Sequence, residues 1–464
     1  MATYSTDKKH PFEDKPNKTL FALAIPVLFS LVAEPVTGLV DTAFVARLGS
    51  EELSALGIGT MVFSSVFWVF GFLGVGTQTE VSHAIGKKDF KRSSSLCWLA
   101  VFISIGLGLT LSICAYPLLP SIARLMGGSA EVLGYATDYM DYRLLGAPAV
   151  LVMLSCFGAL RGYQDMRSPL WIAVGINLFN VALDWSLVFG HGPFTKMGVG
   201  GAALASSISQ WIGAVWAVLV VKRHYGVNLG FNLADARRLF VIGGDMFVRT
   251  GGVCFFLLLC TRFATKAGAE AGAAHQAIRQ FFVFLALFLD SFAISGQSLV
   301  GYFIGSADRH TARKVASLVC KWSFVTGILL TVVMYFGQQP VAWVLVPQES
   351  AMVFAPAWLA VTFLQPVNSL SFATDGIHLG TGDFRYLRNA MLIAVLVSSC
   401  ALFVVNYYKP ERMLLWIWLV AGLWTFLRAF FGMIRIWPGI GNSPLAVKTA
   451  RRSPNQLIDR VSEE

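Results

Sequence analysis

The sequence predicts an all-α membrane protein with twelve transmembrane helices, arranged as two parallel-repeat six-helix bundles around a central cavity. Three observations lead there. The 464 residues are 56% hydrophobic and 13% charged, with mean hydropathy +0.64, whereas a soluble domain is about 25% charged. Twelve apolar stretches reach the ~20 residues a helix needs to cross the hydrocarbon core. Loop motifs recur between the two halves of the chain in one register.

The chain opens on the polar stretch MATYSTDKKHPFEDKPNKT. It lacks the apolar core of a cleavable signal, so the first helix is expected to act as its own insertion signal. The apolar stretches centre near Leu31, Val66, Ser104, Val150, Asn180, Ile212, Cys254, Leu285, Ile328, Thr362, Val397 and Leu423. Gly, Pro and polar residues interrupt several of them, which membrane helices tolerate when neighbours satisfy the freed backbone.

Lys and Arg crowd the N-terminus, the C-terminal tail and the even-numbered connections, as at Lys87, Lys88, Lys91 and Arg92, while the odd connections hold few. The positive-inside rule then puts both termini in the cytoplasm of a multi-pass plasma (inner) membrane protein. The expected organisation is a cytoplasmic segment over 1–19, an N-terminal lobe over 20–222 and a cytoplasmic linker over 223–238. A C-terminal lobe over 239–437 and a disordered polar tail over 438–464 follow.

The net charge of +10 would suit a nucleic-acid partner, but the basic residues sit in short loops where orientation requires them. No nucleic-acid partner is expected. The seven cysteines are scattered through apolar segments, with neither metal-ligand nor disulfide spacing. With no phosphate loop or nucleophile–base pairing either, the sequence predicts neither an enzyme nor a bound cofactor or metal.

The halves echo each other at an offset of 218 to 219 residues. Ala84-Ile85-Gly86-Lys87-Lys88-Asp89 corresponds to Phe303-Ile304-Gly305-Ser306-Ala307-Asp308, Gln78 to Gln297, and Gly162-Tyr163-Gln164-Asp165-Met166-Arg167 to Gly380-Thr381-Gly382-Asp383-Phe384-Arg385. Six crossings per half start both copies on the same side. They are therefore parallel repeats about an axis along the membrane normal, an arrangement suited to alternating access by rocking.

Ionisable residues inside such spans are costly and mark substrate or ion pathways. Asp41 lies near the end of the first apolar stretch and Asp184 in the fifth. Asn177, Asn180 and Asp184 follow a three-then-four spacing on one helix face. There the amides can hydrogen-bond the carboxyl in either protonation state and form a proton-coupling cluster, or else simply glue helices together. Glu34, which shares a face with Asp41, and Asn177 are assigned to the supporting network of Asp41, Asp184 and Asn180. Pro26 and Pro35 are sites where the first helix can bend, because proline removes a backbone hydrogen bond. The competing reading has Asp41 at the extracellular rim beside Arg47.

In the second half, Asp245 and Arg249 are spaced for an ion pair at i and i+4. Asp375 and Asp290 are candidates for a C-lobe coupling or substrate site, with Asp375 alternatively held by an arginine of a neighbouring helix. His275 could titrate near neutrality, although an interhelical hydrogen bond is the plainer role. The central residues read as acidic or neutral, which argues against a lipid-linked glycan flippase with a cationic cavity for pyrophosphate.

Several stretches carry a family resemblance: PVLFSLVAEPVTGLVDTAFVARLGSEELSALGIG, the ALRGYQDMRSP loop, AAHQAI and DGIHLGTGDFRYLRNAM. From about Lys18 to Trp437 the chain resembles the multidrug and toxic compound extrusion (MATE) family, and its last motif resembles the DinF-like branch. The resemblance implies secondary active export of drugs or metabolites in exchange for a cation, a proton in the leading reading and sodium in the alternative. It also implies a small amphipathic, cationic organic substrate and a monomer in the lipid bilayer. By the same resemblance, proton coupling belongs to Asp41, Asn180 and Asp184, and the bend of the first helix to Pro26. Thr37, Leu154 and Ala202 stand where relatives have other polar groups.

Overall fold

The computed structural model describes residues 9–127, 129–437 and 439–446, and its regular structure there is entirely helical. The first half comprises α1 (Pro11–Asp14), α2 (Pro16–Val45), α3 (Ser50–Phe70), α4 (Phe72–Gly86), α5 (Phe90–Ala115), α6 (Leu119–Met126), α7 (Ala130–Leu144), α8 (Ala147–Gly162), α9 (Arg167–Phe189) and α10 (Gly198–Tyr225). The second comprises α11 (Leu233–Lys266), α12 (Ala269–Gly305), α13 (Arg309–Leu345), α14 (Ala351–Thr381), α15 (Phe384–Tyr408) and α16 (Met413–Ile436).

Eleven spans among the described residues are long and apolar enough to cross a membrane, and α7 with α8, meeting at a 48° bend, make a twelfth. Every expected span centre falls inside one of them. Large apolar side chains such as Phe29, Leu178, Phe336 and Trp343 remain exposed. This is how a helix surface looks when lipid rather than water surrounds it.

Each half has cores of its own. In the first, Leu56, Phe63, Leu119, Tyr139 and Met140 form one cluster, and Leu96, Val101, Val152, Leu160 and Ile172 another. In the second, Phe256, Leu289, Phe354, Trp358 and Trp418 pack together. Both ends of the described chain meet on one face of the bundle, where Phe12 and Leu445 join a cluster with Phe303 and Ile436. We call this the terminal face.

Here the halves are sealed by the elements that repeat. Gln78 Nε2 donates to the Ile294 carbonyl at 2.8 Å, and Gln297 Nε2 donates to the Val75 carbonyl at 3.0 Å. Thr79 Oγ1 donates to the Leu379 carbonyl at 2.8 Å, and Ser298 Oγ donates to the Arg161 carbonyl. His83 Nε2 adds a bond of 2.8 Å to the Gly380 carbonyl. Gly86 lies against Tyr302 and Gly305 against His83 so closely that a Cβ on either would fall 2.0 Å and 2.3 Å from the facing carbonyl oxygens.

Helix α10 runs to Tyr225 and α11 starts at Leu233. The intervening loop is strapped to α5: Trp98 Nε1 donates to the Gly226 carbonyl, Ser95 Oγ to Gly230, and Asn228 Nδ2 to the Lys91 carbonyl, all at 2.8–2.9 Å. The first turns of α11 are clamped by Arg92–Asp235 and Arg238–Glu80 ion pairs, each at 2.7 Å. The first residues of the expected tail fold back, with Arg435 donating to the Ile440 and Asn442 carbonyls and Leu445 buried. The expected disorder beyond residue 446 lies outside the described residues.

Candidate functional site

Helix α2 carries Asp41 one turn from its end, and α9 carries Asp184 one turn from its own. The two helices pack together, and the two carboxyls lie within electrostatic reach of each other. Both side chains are buried. Asp184 Oδ2 accepts from Asn180 Nδ2 at 2.9 Å, the i, i+4 contact that the spacing allows. Asp41 Oδ2 accepts from Ser206 Oγ of α10 at 3.3 Å. The remaining oxygens, Asp41 Oδ1 and Asp184 Oδ1, are buried with no hydrogen-bond partner among the described residues. Two carboxyls this close cannot both carry charge without strong repulsion, and a single proton between them relieves it.

The wall around this pair comes from α7 and α10. Tyr139 is buried with its hydroxyl 3.4 Å from Thr60 Oγ1. Arg143 Nη1 donates to Gln210 Oε1 at 2.5 Å, its guanidinium lies 5.6 Å from the Phe67 ring centre, and its charge acts on Asp41. Sequence reasoning did not single out Tyr139, Arg143, Ser206 or Gln210. The YMDYRL segment reads as a polar helix edge, and the signal for the 48° bend beside it, Gly146 followed by Pro148, lies within the apolar run that marked a single span.

Asn177 sits toward the terminal face from Asn180 and bonds elsewhere. Its Nδ2 donates to the Ala33 carbonyl at 2.8 Å, and its Oδ1 accepts from Thr37 Oγ1. Thr37 also donates to the Ala33 carbonyl at 3.1 Å. These contacts tie α9 to α2 beside Pro35. Both Pro26 and Pro35 lie inside the continuous helix α2. Glu34 is exposed and is not among the groups that bond Asp41. The structure therefore brings Asp41, Asn180 and Asp184 together, with Asn177 one turn away and Glu34 apart.

The second half holds a different arrangement. The expected Asp245–Arg249 pair does not form. Asp245 accepts from Arg388 Nη1 at 2.5 Å, and Arg249 instead reaches Asp375. Asp375 Oδ2 also accepts from Arg428 Nη2 at 2.6 Å, so one carboxylate oxygen serves guanidiniums from α11 and α16. Asp290 of α12 is half-buried, within electrostatic reach of Asp375, Arg249, Arg428 and Arg161. The centre is thus not only acidic or neutral, because the pattern of apolar runs hides which arginines point inward. His275 is buried between α11 and α12, its Nε2 3.2 Å from Thr261 Oγ1 and its ring 5.3 Å from that of Trp418.

This geometry belongs to a known lineage. A family model described as MatE matches residues 26–186 and 252–407. The chain belongs to the MatE family. The family comprises multidrug efflux transporters, and membership makes the chain an integral multi-pass membrane protein. "Protein DETOXIFICATION 44, chloroplastic" of Arabidopsis thaliana is 30% identical over 444 residues, covering 92% of this chain and 82% of the relative. "DNA damage-inducible protein F" of Escherichia coli (strain K12) is 27% identical over 435 residues, covering 91% and 92%. A solved structure described as "Crystal structure of MATE in the bent conformation" superposes with a TM-score of 0.83 at 20% identity, over 92% of this chain and 97% of that one. This likeness establishes the fold: the MatE chain has twelve membrane-crossing spans in two lobes.

Proposed function

We propose that this MatE protein is a proton-driven antiporter that exports small amphipathic organic cations by alternating access. The observation that carries the reading is the burial of Asp41 and Asp184 within electrostatic reach of each other, each with one oxygen that has no hydrogen-bond partner among the described residues. Such a pair can be bare, singly protonated or doubly protonated, and these states make different demands on neighbouring donors. Asn180 and Ser206 are the donors at hand.

Proton uptake would enter from the face opposite the termini, since the inter-lobe hydrogen bonds of Gln78, Thr79, Gln297 and Ser298 close the terminal face. The excess of Lys and Arg in the loops on that closed face supports reading it as the cytoplasmic one. The described conformation is then outward-facing. Protonation rearranges the Asp41–Asn180–Asp184 contacts, α2 bends where Pro26 or Pro35 leaves it without a backbone bond, and the bound cation is displaced outward. The lobes rock, the proton leaves to the cytoplasm, and substrate binds again. Each inward proton supplies about 2.3 kcal/mol per 100 mV of membrane potential.

The sodium alternative needs free carboxylates in the second lobe. Of the two candidate carboxylates there, Asp375 and Asp290, Asp375 is already held by two guanidiniums, which favours the proton reading. Substrate efflux from vesicles under an imposed proton or sodium gradient tests the assignment. Proton-driven export that fails in Asp41→Asn supports it, and sodium-driven export that survives the substitution rejects it.

A further inference from the structure

A cavity of about 570 Å³ opens beside the inter-lobe loop on the terminal face, apart from the Asp41–Asp184 pair. That volume is within the range of small-ligand sites. One wall is the start of α5 in the first lobe, with Asp89, Lys91, Arg92 and Ser95. Another is the start of α11 in the second lobe, with Ala234 and Asp235. The Arg92–Asp235 ion pair joins these two walls, and Asn228, Gly230 and Asn232 of the loop complete the lining.

The loop is two-sided. Asn228, Gly230 and Asn232 line the cavity, while Val227, Leu229, Phe231 and Leu233, which alternate with them, do not line it and are 43–84% exposed. Four exposed apolar side chains in one short loop are costly against water and suit a hydrocarbon boundary. Phe231 packs edge-on against Phe102 of α5 with ring centres 5.4 Å apart, and Phe102 is itself exposed within a membrane span. The apolar side of the loop is therefore continuous with the lipid-facing side of α5. Farther along the same two helices, Ala100 and Ile103 of α5 and Leu239 and Phe240 of α11 line a narrow apolar crevice. A polar cavity at the ends of two spans thus leads into an apolar cleft between them, the order of headgroup and acyl chain.

The charge selects the headgroup. Around the cavity and at the adjoining helix ends, Lys87, Lys88, Lys91, Arg92, Arg237 and Arg238 are set against Glu80, Asp89 and Asp235, a surplus of positive charge. Lys91 is exposed and forms no ion pair among the described residues. The bond to Asp235 engages one Nη of Arg92 and leaves other N–H groups of its guanidinium for an anion. Basic pockets at the ends of membrane helices attract anionic headgroups in this way.

We propose that this cavity seats the phosphate of an anionic phospholipid from the leaflet on the terminal face, with Lys91 and Arg92 as its donors. An acyl chain follows the crevice between α5 and α11, so the bound lipid touches both lobes.

The test is native mass spectrometry of the purified full-length protein, released from micelles holding equal phosphatidylglycerol and phosphatidylcholine with the same acyl chains. One phosphatidylglycerol molecule should be retained per protein, at about fivefold the level of phosphatidylcholine. Lys91→Gln breaks no ion pair and should bring the two lipids close to parity. Lys314→Gln, an exposed position on α13 outside the cavity, should leave the preference within twofold of the parent. Glycerol 3-phosphate, which carries the phosphate without acyl chains, should not displace the lipid. Equal retention of both lipids, or an equal preference in parent and Lys91→Gln, overturns the site. A preference lost equally in Lys314→Gln overturns it as well, because it reports the general charge of the face. Displacement by glycerol 3-phosphate would assign the cavity to a soluble phosphate compound and overturn the lipid.

Discussion

Gln78 and Gln297 hydrogen-bond the opposite lobe in mirrored fashion, each to the carbonyl of the residue three before the other: Gln78 to Ile294 and Gln297 to Val75. The same exchange holds for Thr79 with Leu379 and Ser298 with Arg161. The internal repeat thus survives at the seam as paired contacts about a pseudo-twofold axis, and opening the terminal face must break both members of each pair.

Replacing both glutamines by alanine removes three inter-lobe bonds, Gln78 to Ile294 and Gln297 to both Val75 and Thr79. At about 1 kcal/mol each, this moves the equilibrium toward an open terminal face by about 150-fold. Spin labels at positions 87 and 306 in a cysteine-free background measure it. A longer, broader distance distribution is the expected result.

Gly86→Ala and Gly305→Ala should act more strongly, since each Cβ would meet a backbone oxygen at 2.0 Å or 2.3 Å that cannot swing away. Either variant should hold the terminal face apart. The same labels should report the long distance, and export should fall at least tenfold while expression is retained.

The N-terminal segment carries its own pH response. His10 Nδ1 accepts from the Phe12 N–H at 3.1 Å, Nε2 lies 3.0 Å from Gln164 Oε1, and the ring packs 4.6 Å from that of Tyr302. These roles fit the neutral imidazole. Burial lowers the pKa of His10 below its ordinary 6.5, against the opposing pull of Gln164 and Glu13. A depressed histidine contributes docking stability that is complete above pH 6.5 and is lost as the pH falls below it toward the docked value. A spin label at position 9 should gain mobility on acidification, and His10→Phe should remove that dependence.

Asp375→Asn leaves the guanidiniums of Arg249 and Arg428 without their shared counter-charge. Stranding buried charge costs about 3 kcal/mol. The thermal unfolding midpoint should fall, and the combined change Asp375→Asn with Arg428→Met should recover part of the loss.

Much of this was legible in the sequence because membrane insertion constrains sequence strongly. Apolar runs located all twelve spans, and the Gly86 and Gly305 motifs announced the halves that meet at the seam. Asn180 and Asp184 could be paired because an i, i+4 contact is local. The partners of Asp245, Arg249 and Asp375 could not be read the same way. Each lies on another helix, and spacing along one helix says nothing about rotation of its neighbour. Arg143 and Tyr139 escaped for a related reason, since the bend between α7 and α8 decides where they point. Glu34 shares a helical face with Asp41 on paper, yet seven residues carry it a full two turns away, where it is exposed.

The proposal stands most directly on proton-driven substrate uptake into everted membrane vesicles, comparing the parent with Asp41→Asn and Asp184→Asn at equal protein levels. The account predicts that an imposed proton gradient alone drives substrate movement in the parent and that both variants lose it by at least tenfold while still binding substrate. Full gradient-driven transport in either variant, or transport that only a sodium gradient supports, would contradict it.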